Sequence, residues 1–221
     1  MGKVALDAEL WESAAYRLRE AAEIARTYGN QRVAAQAQLR LAEMYMDRGE
    51  FTDADRGRRE VLTLVREVDD AVGIAFALET LGRLRVRQGH LAEAVELFTQ
   101  VLEIAREHDS RDLVGRALFR LGDLYGRLGD RSRSASHVIE AVAVFDRIGA
   151  PVWQARAREA LGRLHAAAGD AVAAAEVRQA ALRLLATAEP GIDAELSKRI
   201  DAQLRNAGID ADQPQGVSPP V

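Results

Sequence analysis

The sequence predicts an all-α chain: a solenoid of stacked helix-turn-helix repeats, about four full ones, with a leading half-repeat and a closing cap helix. Three observations predict it. Glycines return at Gly49, Gly89, Gly129 and Gly169, forty residues apart each time. The same step relates Ala37, Ala77, Ala117 and Ala157, and also Leu41, Leu81, Leu121 and Leu161; self-similarity at a fixed period of this size marks a repeat architecture. Within each step the apolar residues follow a 3.6-residue period. Ala77, Leu81, Leu84 and Arg85 share one helical face, as do Ala37, Leu41, Met44 and Tyr45, and a second helix carries Ala94, Phe98, Val101, Leu102 and Ala105.

The first segment, Trp11 to Arg26, aligns with the second helix of a repeat: Ala14, Ile24 and Arg26 stand where Ala94, Ile104 and Arg106 stand later. Its own first helix would precede residue 1. A terminal repeat without a polar cap exposes its apolar face, so Ala14, Tyr16, Leu18 and Ala21 are expected to be partly bare. The chain is then a carboxyl-terminal piece of a longer protein, or pairs with something at this edge. Gly29-Asn30 opens the first full repeat, with helices about Gln31 to Arg48 and Thr52 to Val68. Asp69-Asp70 caps the next pair, Ala71 to Gln88 and Leu91 to His108. Asp109-Ser110 begins the third, Arg111 to Leu128 and Arg131 to Ile148, since Asp and Ser accept bonds from free helix N–H groups. Pro151, well placed at a first helical position, opens the fourth, to Ala168, followed by Ala171 to Thr187. Glu189-Pro190-Gly191 ends the repeats. Ile192 to Arg205 forms a last amphipathic helix, with Leu196, Ile200 and Leu204 inward and Glu195, Lys198, Arg199, Asp201 and Arg205 outward. The solenoid is thus expected over residues 1–206 and a proline-rich, disordered tail over 207–221.

The glycines divide into two kinds. Gly89 falls where a helix ends in a left-handed residue, which only glycine adopts without steric cost. Gly82, with Gly122 and Gly162, sits inside a helix, where glycine costs about 1 kcal/mol relative to alanine. Close approach of the paired helix is the expected compensation.

Leu81-Gly82, Arg85, Gly89, Ala94, Phe98 and Val101-Leu102 fall at the spacings of the tetratricopeptide repeat, whose pattern is Leu-Gly, Tyr, Gly, Ala, an aromatic, then Ala-Leu. Leu121-Gly122, Tyr125, Gly129 and Ala141 match it, as do Leu161-Gly162, Gly169, Ala174 and Ala181-Leu182; Leu41-Ala42, Tyr45, Gly49, Ala54 and Leu62 follow with one change. Arg85 and His165 replace the tyrosine, Ser134 the small alanine, and Arg58, Val138 and Arg178 the aromatic. The usual repeat is about 34 residues, so this form has lengthened helices. It resembles the long variant at the carboxyl ends of actinobacterial antibiotic-pathway and NB-ARC-type transcriptional regulators. The resemblance implies a right-handed α-solenoid and a non-enzymatic interaction or sensing module that relays signals to separate ATPase and DNA-binding domains, neither of which is encoded here. HEAT and armadillo units overlap the period but lack the Leu-Gly pair and the fixed glycine, and WD40 blades are all-β.

Composition narrows the function classes. The 221 residues carry a net charge of −4, which gives no reason to expect direct nucleic-acid or anionic-membrane binding. Cysteine is absent, which excludes disulfides, cysteine-ligated zinc and thiol nucleophiles. No secretory signal is readable, no run of eighteen apolar residues exists, and a cytoplasmic location is expected. Neither cofactor nor metal is expected. His90, His108, His137 and His165 form no metal-binding pair, His165 filling the tyrosine slot. The run Gly122-xxx-Gly126-xx-Gly129 follows no strand and lacks the phosphate-loop lysine. No serine–histidine–acid constellation is present, so an enzyme is not expected.

The stripe beside the core face of the first helices is the better candidate. It comprises Gln36, Leu39, Arg40, Glu43 and Asp47; Phe76, Glu79, Thr80, Arg83 and Arg87; Arg116, Phe119, Arg120, Asp123 and Arg127; and Arg156, Glu159, Arg163 and Ala167. If the array curls as tetratricopeptide arrays do, this stripe lines a concave groove. Guanidinium forks bind carboxylates bidentately, and Phe76 and Phe119 are candidate anchors, so the expected guest is a protein or peptide, acidic or carboxylate-ended. A receptor for a small ligand or signalling peptide is the alternative. A second reading also stands: the arginines pair with Glu43, Glu79, Asp123 and Glu159 into a solvated face.

Overall fold

The computed structural model describes residues 2–67, 70–188 and 193–207, and the side chains of residues 2–9, 64–67, Arg32, Arg58 and Leu62 are not among the described parts. The described residues form ten helices: α1 (Gly2–Thr27), α2 (Gln31–Asp47), α3 (Phe51–Glu67), α4 (Ala71–Gln88), α5 (Leu91–Glu107), α6 (Arg111–Arg127), α7 (Arg131–Ile148), α8 (Pro151–Ala167), α9 (Ala171–Thr187) and α10 (Ala194–Asn206). First helices begin at 31, 71, 111 and 151 and second helices at 51, 91, 131 and 171, so the forty-residue period of the sequence is the period of the hairpins. Helix α1 runs further toward the amino terminus than the Trp11 alignment indicates, through Ala5, Leu6, Ala8, Glu9 and Leu10, all strong helix formers. The Glu189-Pro190-Gly191 break and the tail beyond Ala207 lie outside the described residues.

The helices fall into two compact units that divide inside α6, between Leu113 and Val114. In the first, α1 packs on α2, α2 on α3, α3 on α4 and α4 on α5, and the first helices α2 and α4 also touch. Helix α5 buries Ala94, Phe98, Val101, Leu102 and Ala105, the five residues of its predicted stripe. Met46, Ala54 and Leu84 form one local core, against which Tyr45, Phe51 and Leu81 pack. In the second unit α7 packs on α8, α8 on α9 and α9 on α10. There Leu196, Ile200 and Leu204 of α10 close over Ala155, Ala175, Ala181 and Leu185 as a cap, its charged side chains outward.

Turn chemistry follows the repeat. Gly49, Gly89, Gly129 and Gly169 all take positive φ, between 78° and 85°. Asn30, Asp70, Asp130 and Asp170 each accept the N–H three residues ahead, at 2.9–3.2 Å, and so satisfy one free donor at the starts of α2, α4, α7 and α9. At Asp130 the Arg133 N–H and guanidinium hold the carboxyl below its ordinary range. Asp109 departs from expectation: it adopts a left-handed conformation, φ 47°, after α5, where Gly29 and Gly149 stand in other repeats. It therefore terminates one helix in the way glycine usually does, and does so with a Cβ. That conformation costs an L-residue about 1 kcal/mol or somewhat more. Asp109→Gly is accordingly expected to raise the melting temperature by about 2–4 °C. Calorimetry checks this, and a fall would mean the carboxylate matters more than the backbone.

The mid-helix glycines meet their paired helices as expected. A Cβ at Gly82 would lie 2.8 Å from the Phe98 ring, at Gly122 2.6 Å from Val138 Cγ2, and at Gly162 3.0 Å from Arg178 Cγ. Ser134, a departure from the repeat pattern, is buried and donates its hydroxyl to the Gly122 carbonyl at 2.7 Å. It ties α7 to α6 where alanine would only touch.

Candidate functional site

In the first unit, three of the four candidate groove residues are engaged in ion pairs, two of which bridge one repeat to the next. Arg83 Nη1 donates to Glu43 Oε1 at 2.8 Å, and Arg40, on the same helix as Glu43, donates to Oε2 at 3.2 Å. Arg87 Nη1 donates both to Asp47 Oδ1 and to the Met46 carbonyl, each at 2.9 Å. Phe76 is 37 % exposed on α4. The 43/83 and 47/87 pairs are forty residues apart, so each is a rung between successive first helices. Exposed pairs of this kind contribute only about 0–1 kcal/mol each; their larger effect is to neutralise the stripe.

Two expectations about the stripe are corrected. Glu79 and Thr80 do not line a surface: they are buried, 2 % and 7 % exposed, and Thr80 donates its hydroxyl to the Phe76 carbonyl at 2.8 Å. Glu159, on α8 of the second unit, is likewise only 2 % exposed. Its Oε2 accepts from Arg163 Nη1 at 2.5 Å and faces Arg199 of α10 at 3.5 Å, while its buried Oε1 has no hydrogen-bond partner. Burial also lowers the pKa of the Arg178 guanidinium, partly offset by the charge of Glu159. Arg163 reaches Asp123 with its other amino group at 3.2 Å, again forty residues away.

The rest of the second unit's stripe gathers around Trp153, a residue outside the repeat pattern. The guanidinium carbon of Arg116 lies 5.7 Å and that of Arg156 5.1 Å from the Trp153 ring centroid. Phe119 meets the indole edge-on at 5.9 Å, and buried Phe145 stacks on it at 5.5 Å. Arg120 lies 5.8 Å from the Phe119 ring. Arg156 is held in place by Asp193, whose carboxylate accepts from Nε at 2.6 Å. Asp193 itself is in a left-handed conformation at the start of α10. Arg127 is exposed in the last turn of α6, outside these contacts. Trp153 occupies a column held by Val33, Gly73 and Leu113 in the other repeats, so only its departure from the periodicity could have signalled it.

Of the histidines, His137 stacks flat on Tyr125, ring centroids 5.4 Å apart, and so has a packing role. Among the described residues no three His, Asp or Glu side chains come together as a metal site. No described helix is long and apolar enough to cross a membrane.

Residues 33–107 match the tetratricopeptide repeat family model. The tetratricopeptide match runs from α2 through α5, two successive hairpins of the first unit. No curated protein sequence matches the chain. Among solved structures, BtubC from P. vanneervenii superposes with a TM-score of 0.77 at 20 % identity, over 90 % of this chain and 84 % of that one. A Signal Transduction ATPase with Numerous Domains from Pyrococcus horikoshii, with a tetratricopeptide repeat sensor, superposes at 0.64 and 16 % identity, over 89 % of this chain. The chain spans only 32 % of that ATPase's length. The Cut9–Hcn1 hetero-tetramer of the APC/C follows at 0.56 and 14 % identity, with 81 % of this chain and 34 % of that one covered. At these identities the shared property is the fold of tetratricopeptide-like helical hairpins.

Proposed function

We propose that the chain is a non-enzymatic protein-binding module, the repeat region of a signalling or transcription regulator, and that it takes an acidic or carboxylate-ended segment of a partner. The tetratricopeptide match and the fold likeness to part of a multidomain ATPase that has a tetratricopeptide repeat sensor support the general reading, as does the resemblance of the forty-residue repeat to actinobacterial regulators. The observation that carries the finer reading is the cluster of Arg116 and Arg156 about the half-buried Trp153. A guanidinium has five N–H donors in a fixed fork; Arg156 uses Nε on Asp193, which leaves its terminal amino groups for a guest carboxylate. The indole and Phe119 offer apolar surface beside them, the combination found in interface anchors. Arg83, Arg87 and Arg163 serve instead as rungs between repeats, and Arg40 pairs with Glu43 on its own helix.

A glutamate-rich hexapeptide ending in a free carboxylate is the test ligand, followed by Trp153 fluorescence in a Trp11→Phe background. Saturable binding is expected, weaker for the carboxyl-amidated peptide. It should weaken at least tenfold in Arg116→Gln/Arg156→Gln, with the helical circular-dichroism spectrum retained. Equal affinity in that double variant would remove the cluster as the site.

A further inference from the structure

Gly57, inside α3, is unlike the other helical glycines. A Cβ at Gly82, Gly115, Gly122, Gly126 or Gly162 would come within 2.6–3.1 Å of a neighbouring side chain, whereas at Gly57 the nearest atom is Ala42 Cβ at 3.6 Å, an ordinary contact. Gly57 carries the helix penalty of any mid-helix glycine without the close packing that offsets it elsewhere. Gly57 borders a half-open hollow of about 510 Å³ between α1 and α3, floored by Leu41, Ala42 and Tyr45 of α2, within the size range of ligand sites.

The repeat indicates what the hollow lacks. At forty-residue steps the position of Gly57 is held by Leu97, His137 and Val177. His137 lies on Tyr125 at an interplanar angle of 14°, and Tyr125 occupies the same repeat position as Tyr45. Tyr45 is itself prearranged: the Trp11 ring meets it edge-on at 5.6 Å and Arg19 Nη2 donates to its hydroxyl at 2.6 Å. The rim is charge-compensated, Arg26 with Glu23 at 2.5 Å and with Glu60 at 4.0 Å, and Arg56 with Asp53. Arg19, the remaining rim cation, lies over the Tyr45 ring, its guanidinium carbon 6.0 Å from the centroid. With three guanidiniums and three carboxylates the rim favours neither a phosphate nor a cationic segment, and the His137–Tyr125 stack supplies the pattern for a ring as the guest.

The geometry points to the hollow over Gly57 as a seat for the ring side chain of a partner protein, a histidine, tyrosine or phenylalanine, stacked on Tyr45. The choice of a protein side chain rests on the protein-binding reading; the hollow is separate from the Trp153 cluster, so either site can fail alone. N-acetyl-tyrosinamide and N-acetyl-histidinamide, titrated to tens of millimolar and followed by amide NMR, are expected to shift the signals of Leu41, Ala42, Tyr45 and Gly57. N-acetyl-leucinamide should bind at least fivefold more weakly. Gly57→His, which fills the seat from within, should abolish those shifts and still melt no lower than the parent. Gly57→Ala should remain folded and weaken binding only in part. Absence of shifts with both ring probes, or equal shifts in Gly57→His, would overturn the site. Free p-cresol and 4-methylimidazole, which carry the ring alone, should shift the same signals; their failure to do so would overturn stacking on Tyr45 and leave peptide binding at Trp153 untouched.

Discussion

Phe98→Ala is expected to destabilise the protein by about 3–5 kcal/mol, the range for a large aromatic removed from a core. Phe98 is fully buried, and its ring fills the space opposite Gly82, so nothing beyond the ring is available to relax into the cavity from that side. The effect should exceed that of Val138→Ala at the equivalent position of the next repeat, where fewer atoms are lost. Urea unfolding followed by circular dichroism checks it. A loss under about 1 kcal/mol would mean that the α4–α5 hairpin repacks freely, which is inconsistent with cores packed at crystal-like density.

Gly122→Ala is expected to lower stability even though alanine is the better helix former. The new methyl would meet Val138 Cγ2 at 2.6 Å, the Val138 backbone nitrogen at 3.2 Å and the Ser134 carbonyl at 3.3 Å. Backbone cannot rotate aside as a side chain can, so α6 and α7 must separate, which stretches the Ser134 to Gly122 hydrogen bond as well. Overpacking costs about 1–3 kcal/mol and a weakened buried hydrogen bond about 1 kcal/mol, against a propensity gain of about 1 kcal/mol. The same exchange at Gly57 meets no such obstacle and should raise the denaturation midpoint. Opposite signs for one chemical change at two helical glycines is the outcome to look for; a gain at both would mean the helices do not approach as closely as the distances state.

Much of the fold could be read from residues that recur, and little of what differs between repeats could be. Gly82, Gly122 and Gly162 announce close packing because a helix tolerates them only with compensation, and the distances supply it. Gly115 performs the same task against Phe145, a Cβ there falling 2.7 Å from the ring, yet its column holds Ala35, Ala75 and Ala155 elsewhere, so periodicity was silent. Trp153 and Gly57 are illegible in the sequence for the same reason: each is a single departure from its column, and a departure by itself reads only as a weakened repeat. The arginine stripe was legible as a charge pattern with two meanings. Pairing with Glu43, Asp123 and Glu159 proves right for Arg40, Arg83 and Arg163, because charges three or four residues apart on one helix, or one repeat apart on successive first helices, come within reach. Glu79 and Glu159 were misplaced because a helical wheel gives a direction and not what lies in that direction.

The central claim is that the forty-residue period specifies a register in which one helix's glycine receives its partner helix's side chain. A double-mutant cycle between Gly82 and Phe98 measures this most directly. Gly82→Ala should destabilise the parent protein, and in a Phe98→Ala background the same substitution should become stabilising by up to about 1 kcal/mol, as the vacated ring space admits the methyl and only helix propensity remains. An identical effect of Gly82→Ala in both backgrounds would contradict the packing on which the repeat, and the sites built on it, depend.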